Sequence, residues 1–305
     1  MEPEPCNSVT QNSIVLAAGY SYCWMADGKK PHGDRGTTRV SQIRVRQGPV
    51  LHGIAENLYT LQQDLVTASK IQSRLLPPKP ELSGFDFAIY YQPAGEVGGD
   101  FYDFLPMQGG KMGLVVADAS GKGLAGALLM VEARAMIRAM ASMTSSPREI
   151  LMAVNRVLLR DLEKGRFVSA FFALLDPKQR TLTMANAGHT PLLICREVGN
   201  TIVTLQPRGL ILGVAPDAKF SDSIVEETVP LYPGDRFLLF TDGVSELMNP
   251  VSEEFGMERL EKWMKSNAHL WSEDAVRSLT DALEHHRAGQ IQSDDITILT
   301  GKLET

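Results

Sequence analysis

Cysteine is scarce in this 305-residue chain: Cys6, Cys23 and Cys195 are all there is, with no CxxC spacing. That scatter excludes a cysteine-built zinc site and fits a reducing, cytoplasmic setting. Long apolar runs are missing as well. The longest stretch near the N-terminus, Ile14 to Met25, is interrupted by glycine, serine and two tyrosines, and is far shorter than the roughly 20 apolar residues a spanning helix needs. Glu2 and Glu4 precede it, where a signal peptide would carry basic residues. Basic charge is not in excess either. With 30 Lys and Arg against 36 Asp and Glu, the net charge is −6, which argues against a protein that tracks nucleic-acid phosphates. The expectation is a soluble, cytoplasmic protein that engages neither membrane nor nucleic acid.

What is present is an ordinary globular composition, 44% hydrophobic and 22% charged, in a chain long enough to bury its own core without disulfides or structural metal. Charge divides it unevenly. Residues 1–50 carry a net +2, residues 51–80 a net +1, and residues 81–305 the remaining −9. The first 50 residues show no sustained periodicity and are read as a leader of unknown structure. From Leu51 the texture changes: Leu51, Ile54, Leu58, Leu61, Leu65, Ala68 and Leu75 follow alternating 3/4 spacing until Pro77-Pro78. Gln72 interrupts that seam, with Ile71 beside it. Residues 51–80 are therefore read as an amphipathic connector. Two uses stay open: a helix lying against its own domain, or a coiled-coil seam through which residues 51–76 form a homodimer.

After Pro80, strand and helix patterns alternate. Strands are expected at Phe85–Gln92, Met112–Ala117, Phe167–Leu175, Thr181–Asn186, Pro191–Arg196, Arg236–Thr241 and Ile296–Gly301. Helices are expected at 124–143, from Ser146-Pro147 to about Leu162, and near 254–266 and 272–287. The hairpin turning at Asp176–Gln179 indicates antiparallel sheet and excludes a purely parallel doubly wound fold.

Aspartates recur where these strands end. Asp100 follows Gly98-Gly99, Asp118 follows GLVVA, Asp242 follows RFLLFT, and Asp294-Asp295 precede ITIL. Any one of them is an ordinary turn residue. Together, an antiparallel sheet pair can converge them, and gathered carboxylates need protons or cations between them. Oxygen-only ligation selects Mg²⁺ or Mn²⁺, and two such ions suit phosphoester hydrolysis. The glycines Gly121, Gly123 and Gly126 spell G-x-G-x-x-G, but Asp118 stands where a pyrophosphate would approach, and the chain does not build the parallel sheet that motif requires. Lys122 is read as either a solvated loop lysine or a contact for an anionic substrate. His189 is read as either a hydrogen-bonded structural residue or a proton donor.

The ordered segments AGEVGGDFYDF (94–104), VADASGKGLAGALLM (116–130), ANAGHTPLL (185–193), LFTDGVSE (239–246) and SDDITIL (293–299), preceded by IQSRLLPP (71–78), resemble the metal-dependent PPM-type serine/threonine phosphatases, in particular the bacterial RsbU/SpoIIE branch. The resemblance spans about residues 60–305. It implies an α+β fold, a four-layer α/β/β/α sandwich of two antiparallel sheets flanked by helices, with the phosphatase domain over 81–305. It also implies two divalent cations, Mn²⁺ or Mg²⁺. Asp118 would bridge them, with the backbone carbonyl of Ala119 as a further ligand; Asp242 and Asp294 would complete one shell and Asp100 would serve the other, with Asp295 a weaker candidate. Gly99 and Gly121 would permit the close backbone path. The implied reaction is attack by a metal-bridging hydroxide on phosphoserine or phosphothreonine of a regulatory protein, an anti-sigma-factor antagonist in that branch. A catalytically silent phosphoprotein-binding module and a phosphatase of small phosphoesters are the competing readings. Two departures stand out: alanine at 119 replaces glycine, and no counterpart of the phosphate-binding arginine of eukaryotic relatives is found.

Overall fold

The computed structural model describes residues 49–304. The leader expected over 1–50, with Cys6, Cys23 and the apolar stretch at 14–25, lies outside the described residues apart from its last two positions. The described chain opens on helix α1 (Pro49–Leu75) and continues β1 (Phe85–Gln92), β2 (Asp100–Pro106), β3 (Met112–Ala119), α2 (Leu124–Ala141), α3 (Pro147–Asp161), β4 (Val168–Asp176), β5 (Thr181–Ala187), β6 (Leu192–Arg196) and β7 (Thr201–Leu205). There follow α4 (Asp217–Ser223), β8 (Glu226–Pro230), β9 (Arg236–Phe240), α5 (Asp242–Ser245), α6 (Gly256–Ser266), α7 (Ser272–Arg287) and β10 (Ile296–Leu303).

Local chemistry explains several boundaries. Ser146 caps α3 by accepting the Glu149 amide at 3.2 Å, and Pro147 takes the first helical position, where no donor is missed. The β4–β5 turn is closed by Asp176 Oδ1, which accepts the amides of Lys178 and Gln179 at 3.0 Å each.

Every strand pairs antiparallel, in two five-stranded sheets ordered β1-β10-β9-β6-β7 and β2-β3-β4-β5-β8. Three apolar layers hold the stack. Phe87, Phe104, Leu114, Phe171, Phe237 and Leu299 fill the space between the sheets. Met130, Ile137, Ile150 and Leu158 of α2 and α3 pack on the outer face of the β2–β8 sheet. Leu260, Met264, Leu279 and Leu283 of α6 and α7 cover the outer face of the other. The result is the four-layer α/β/β/α sandwich, and residues 49–305 form one compact unit. No helix among the described residues is long and apolar enough to cross a membrane.

Candidate active site

The register of β2 against β3 brings the first two aspartates together: Asp100 lies directly opposite Asp118. Side chains so paired stand with Cβ atoms ~4.5–5.5 Å apart. Both sit at the same end of one sheet. The other sheet contributes from its matching end, where β9 runs into α5 at Asp242 and β10 begins just after Asp294-Asp295. Two hydroxyls cross the gap. Thr241 Oγ1 and Thr297 Oγ1 donate to Asp100 Oδ2 at 2.6 and 2.7 Å, while Thr241 Oγ1 accepts the Thr297 amide at 3.0 Å. Asp100 is thereby fixed and 1% exposed.

The charges are costly as they stand. Burial and then the Asp118 charge push the Asp100 carboxyl well above the ordinary carboxylate range, against the two hydroxyls that lower it. Asp118 is pushed up to about 7, by burial first and then by Asp242, Asp294 and Asp295. Asp242 is raised by burial and by Asp294, and Glu246, which the sequence reading had not singled out, is raised by burial and by Asp242. These four neighbourhoods share one electrostatic cluster.

Asp295 behaves differently from its neighbour. Its Oδ1 accepts the Ala94 amide at 2.7 Å, and its Oδ2 accepts the amides of Gly99 at 2.7 Å and Asp100 at 3.3 Å. Both oxygens are occupied in holding the 94–100 loop. Asp294 is exposed; its Oδ1 accepts the Asp295 amide at 2.9 Å and its backbone carbonyl accepts Gln292 Nε2 at 2.8 Å. Ala119 is buried, its amide bonded to the Gly99 carbonyl at 3.1 Å. A Cβ on Gly99 would fall 2.4 Å from the Ala119 carbonyl oxygen, so glycine is what allows the two backbones to meet there.

The remaining candidates are placed as follows. Lys122 Nζ donates to the Ser293 carbonyl at 3.0 Å, tying the loop after Asp118 to the loop before Asp294. His189 is 4% exposed. Its Nδ1 pairs with Ser169 Oγ at 2.7 Å, its Nε2 is buried without a partner, and burial holds its pKa down at about 4, so the ring is neutral. Arg166 donates to the Ser120 carbonyl at 3.3 Å beside Gly121. Thr241 and Thr297 lie inside the quoted motifs and Gln72 interrupts the α1 seam, but the sequence reading assigned none of them a role at the site; a hydroxyl or amide acquires meaning only once the two sheets are face to face.

Among the described residues, no three His, Cys, Asp or Glu side chains already stand gathered as a metal shell. The donor chemistry nonetheless suits a hard divalent cation: carboxylates and one carbonyl, no sulfur or imidazole, and mutual repulsion that a cation would relieve.

Comparison with known proteins agrees with this fold. The sequence model of the Stage II sporulation protein E (SpoIIE) family matches residues 108–304. The chain is 27% identical over 254 residues to the phosphoserine phosphatase RsbU of Bacillus subtilis, covering 82% of this chain and 72% of RsbU. It is 26% identical over 264 residues to protein IcfG of Synechocystis sp., covering 77% of this chain but only 41% of IcfG, and it spans 56% of the Bacillus subtilis phosphoserine phosphatase RsbP. Among solved structures, the SiaA-PP2C domain of Pseudomonas aeruginosa superposes with a TM-score of 0.72 at 25% identity, covering 82% of this chain and all of that domain. With two antiparallel sheets, flanking helices and an aspartate cluster at one end, the chain belongs to the SpoIIE family, within the RsbU/SpoIIE-like branch of the PPM-type phosphatases.

Proposed function

We propose that this protein is a serine/threonine phosphatase that removes phosphate from phosphoserine or phosphothreonine of a regulatory protein, the substrate class implied by its RsbU/SpoIIE-like character being an anti-sigma-factor antagonist. The observation that carries the reading is the register pairing Asp100 with Asp118 at the sheet end where Asp242 and Asp294 also arrive. Asp100, Asp118, the Ala119 carbonyl, Asp242 and Asp294 are the groups assigned to hold two divalent cations, Mn²⁺ or Mg²⁺. Asp295 is assigned to the backbone of the 94–100 loop, where its hydrogen bonds support that role. Bound cations would supply Lewis acidity to the phosphoryl oxygens and to the attacking water. The protein's own contribution is positional. Thr241 and Thr297 fix the Asp100 carboxyl, and Lys122 joins the two loops at the rim. His189, neutral and enclosed, anchors Ser169, the residue directly opposite Asp118 on β4.

In this reading residues 81–305 are the catalytic domain and 51–80 the connector. Leu58, Tyr59 and Leu61 on α1 are exposed, at 62%, 65% and 55%, which supports a dimer seam through residues 51–76. The test is phosphate release from a phosphoserine-bearing antagonist protein with Mn²⁺, with Mg²⁺ and with EDTA. Turnover is expected only with cation, and Asp118→Asn is expected to lower it at least about 100-fold. Binding without turnover would replace this reading with a silent phosphoprotein-binding module. Equal turnover of p-nitrophenyl phosphate and nucleotides, with none on the protein, would replace it with a small-phosphoester phosphatase.

A further inference from the structure

Gln72 breaks the apolar seam of α1, and the described part of the helix shows why the break matters. Ile71 next to it is 58% exposed, whereas Gln72 is 5% exposed, the more deeply buried of the two although it is the polar one. Its side-chain amide makes two bonds to a single residue: Nε2 donates to the Gly98 carbonyl at 2.6 Å, and Oε1 accepts the Gly98 amide at 3.0 Å. The hydroxyl of Tyr91 reaches the same Oε1 at 3.5 Å. Gly98 lies just before β2 begins, so no ladder partner satisfies its donor and acceptor; the Gln72 amide does so instead. The paired bonds also fix which end of the amide is oxygen.

The far side of Gly98 is equally constrained. A Cβ there would stand 2.4 Å from Asp295 Oδ2 and 2.8 Å from the Tyr91 hydroxyl. The next two amides, Gly99 and Asp100, are held by Asp295. The loop that delivers Asp100 is thus clamped from two directions, by Gln72 from the helix that precedes the domain and by Asp295 from the chain beside Asp294.

We propose that Gln72 is a positioning residue for the cation site: its amide, closed on Gly98, sets the backbone that carries Asp100 into register with Asp118, so that the docked last turns of α1 complete the site. The inference rests on reading the aspartate cluster as a divalent-cation site, and its test separates the two claims. Mn²⁺ binding is measured by calorimetry on the full chain for the wild type, Asp118→Asn, Gln72→Met and Leu76→Ala, with the metal-free melting temperature of each. Leu76, which packs against the core just beyond the helix, reports on looser docking alone.

The expected result is that the wild type binds Mn²⁺, Asp118→Asn does not, and Gln72→Met binds about 10–100-fold more weakly, the usual consequence of losing a group that orients a ligand. Leu76→Ala is expected to melt earlier yet bind like the wild type. In metal-free protein the Gly98 amide of Gln72→Met should lose exchange protection while the Gly99 amide keeps it. Absence of Mn²⁺ binding in the wild type would overturn the cation site itself. Equal affinity in the wild type and Gln72→Met, or equal weakening in Leu76→Ala, would overturn the role of Gln72. Should Gln72→Met fail to fold, Gln72→Glu, which keeps the acceptor for the Gly98 amide and loses the donor to its carbonyl, is measured the same way, with unchanged affinity again overturning the proposal.

Discussion

Asp118 carries two opposing demands in the proposed site: a cation would require it ionised, and its surroundings resist ionisation. Its carboxyl is pushed up to about 7, above the ordinary value near 3.9. A raised carboxylate contributes stability that is fully present below the unfolded value and lost as pH rises through the folded one. In EDTA, the wild type should therefore lose stability between about pH 4 and pH 7 relative to Asp118→Asn, leaving the variant more stable at pH 8 by about 1–3 kcal/mol. Urea unfolding across that range checks it; a variant equal to or less stable than the wild type at pH 8 contradicts the repulsion. His189 acts in the opposite sense. Held at about 4 by burial, it contributes stability above the unfolded value near 6.5 and loses it as pH falls toward 4. His189→Gln should flatten the acid side of the same curves, and an unchanged slope there would count against a neutral buried ring.

The aspartates were legible one by one because each adjoins a strand or a glycine pair. The resemblance ranked Asp295 below Asp294 as a ligand; what Asp295 does instead was not legible, since it bonds amides about 200 positions earlier in the chain.

Elements were legible where periodicity is strong. Helix α7 falls on 272–287 as the sequence reading has it, and α2 and α6 agree within two residues at each end. Strands β2, β7 and β8 and the short helices α4 and α5 were not anticipated. Strand β2 is buried on both faces over its first six residues, so it lacks alternation. Strands β7 and β8 lie at the sheet edges and are short, and the charged Glu226-Glu227 disguise the second. The G-x-G-x-x-G spacing acquires a packing explanation. A Cβ on Gly126, in the first turn of α2, would fall 2.1 Å from the Gly121 carbonyl oxygen. Alanine gains about 1 kcal/mol in helix propensity over glycine, but overpacking against backbone costs about 1–3 kcal/mol. Gly126→Ala should therefore lower the melting temperature and displace the loop after Asp118, with a drop in turnover. A variant that melts higher with full activity would show that the loop yields freely.

At the scale of the whole molecule, two sheets stacked through one apolar layer bring four separate strand ends to one rim. The net −9 over residues 81–305 gains meaning there, as part of it is the carboxylate charge of Asp100, Asp118, Asp242 and Asp294 brought to that rim. Resemblance implied the sandwich; composition and spacing alone excluded only the parallel alternative. A connector lying against its own domain was one of the two open readings, but its point of attachment was not legible, because Gln72 reads as a flaw in the seam. Since residues 49–305 form one compact unit, a chain beginning at residue 49 should retain cation-dependent turnover, whereas one beginning at residue 77 should need markedly more Mn²⁺. Turnover in the shorter chain equal to that of the full chain would count against coupling between connector and site.

The central claim is that this rim is a cation site built from particular oxygens. Anomalous diffraction from crystals of the full chain grown with Mn²⁺ tests it most directly. Expected are peaks at the sheet ends, coordinated by Asp100, Asp118, the Ala119 carbonyl, Asp242 and Asp294, with Asp295 still bonded to the amides of Ala94 and Gly99. Peaks confined to other positions, or a site coordinated by Asp295 with those amides released, would contradict the account.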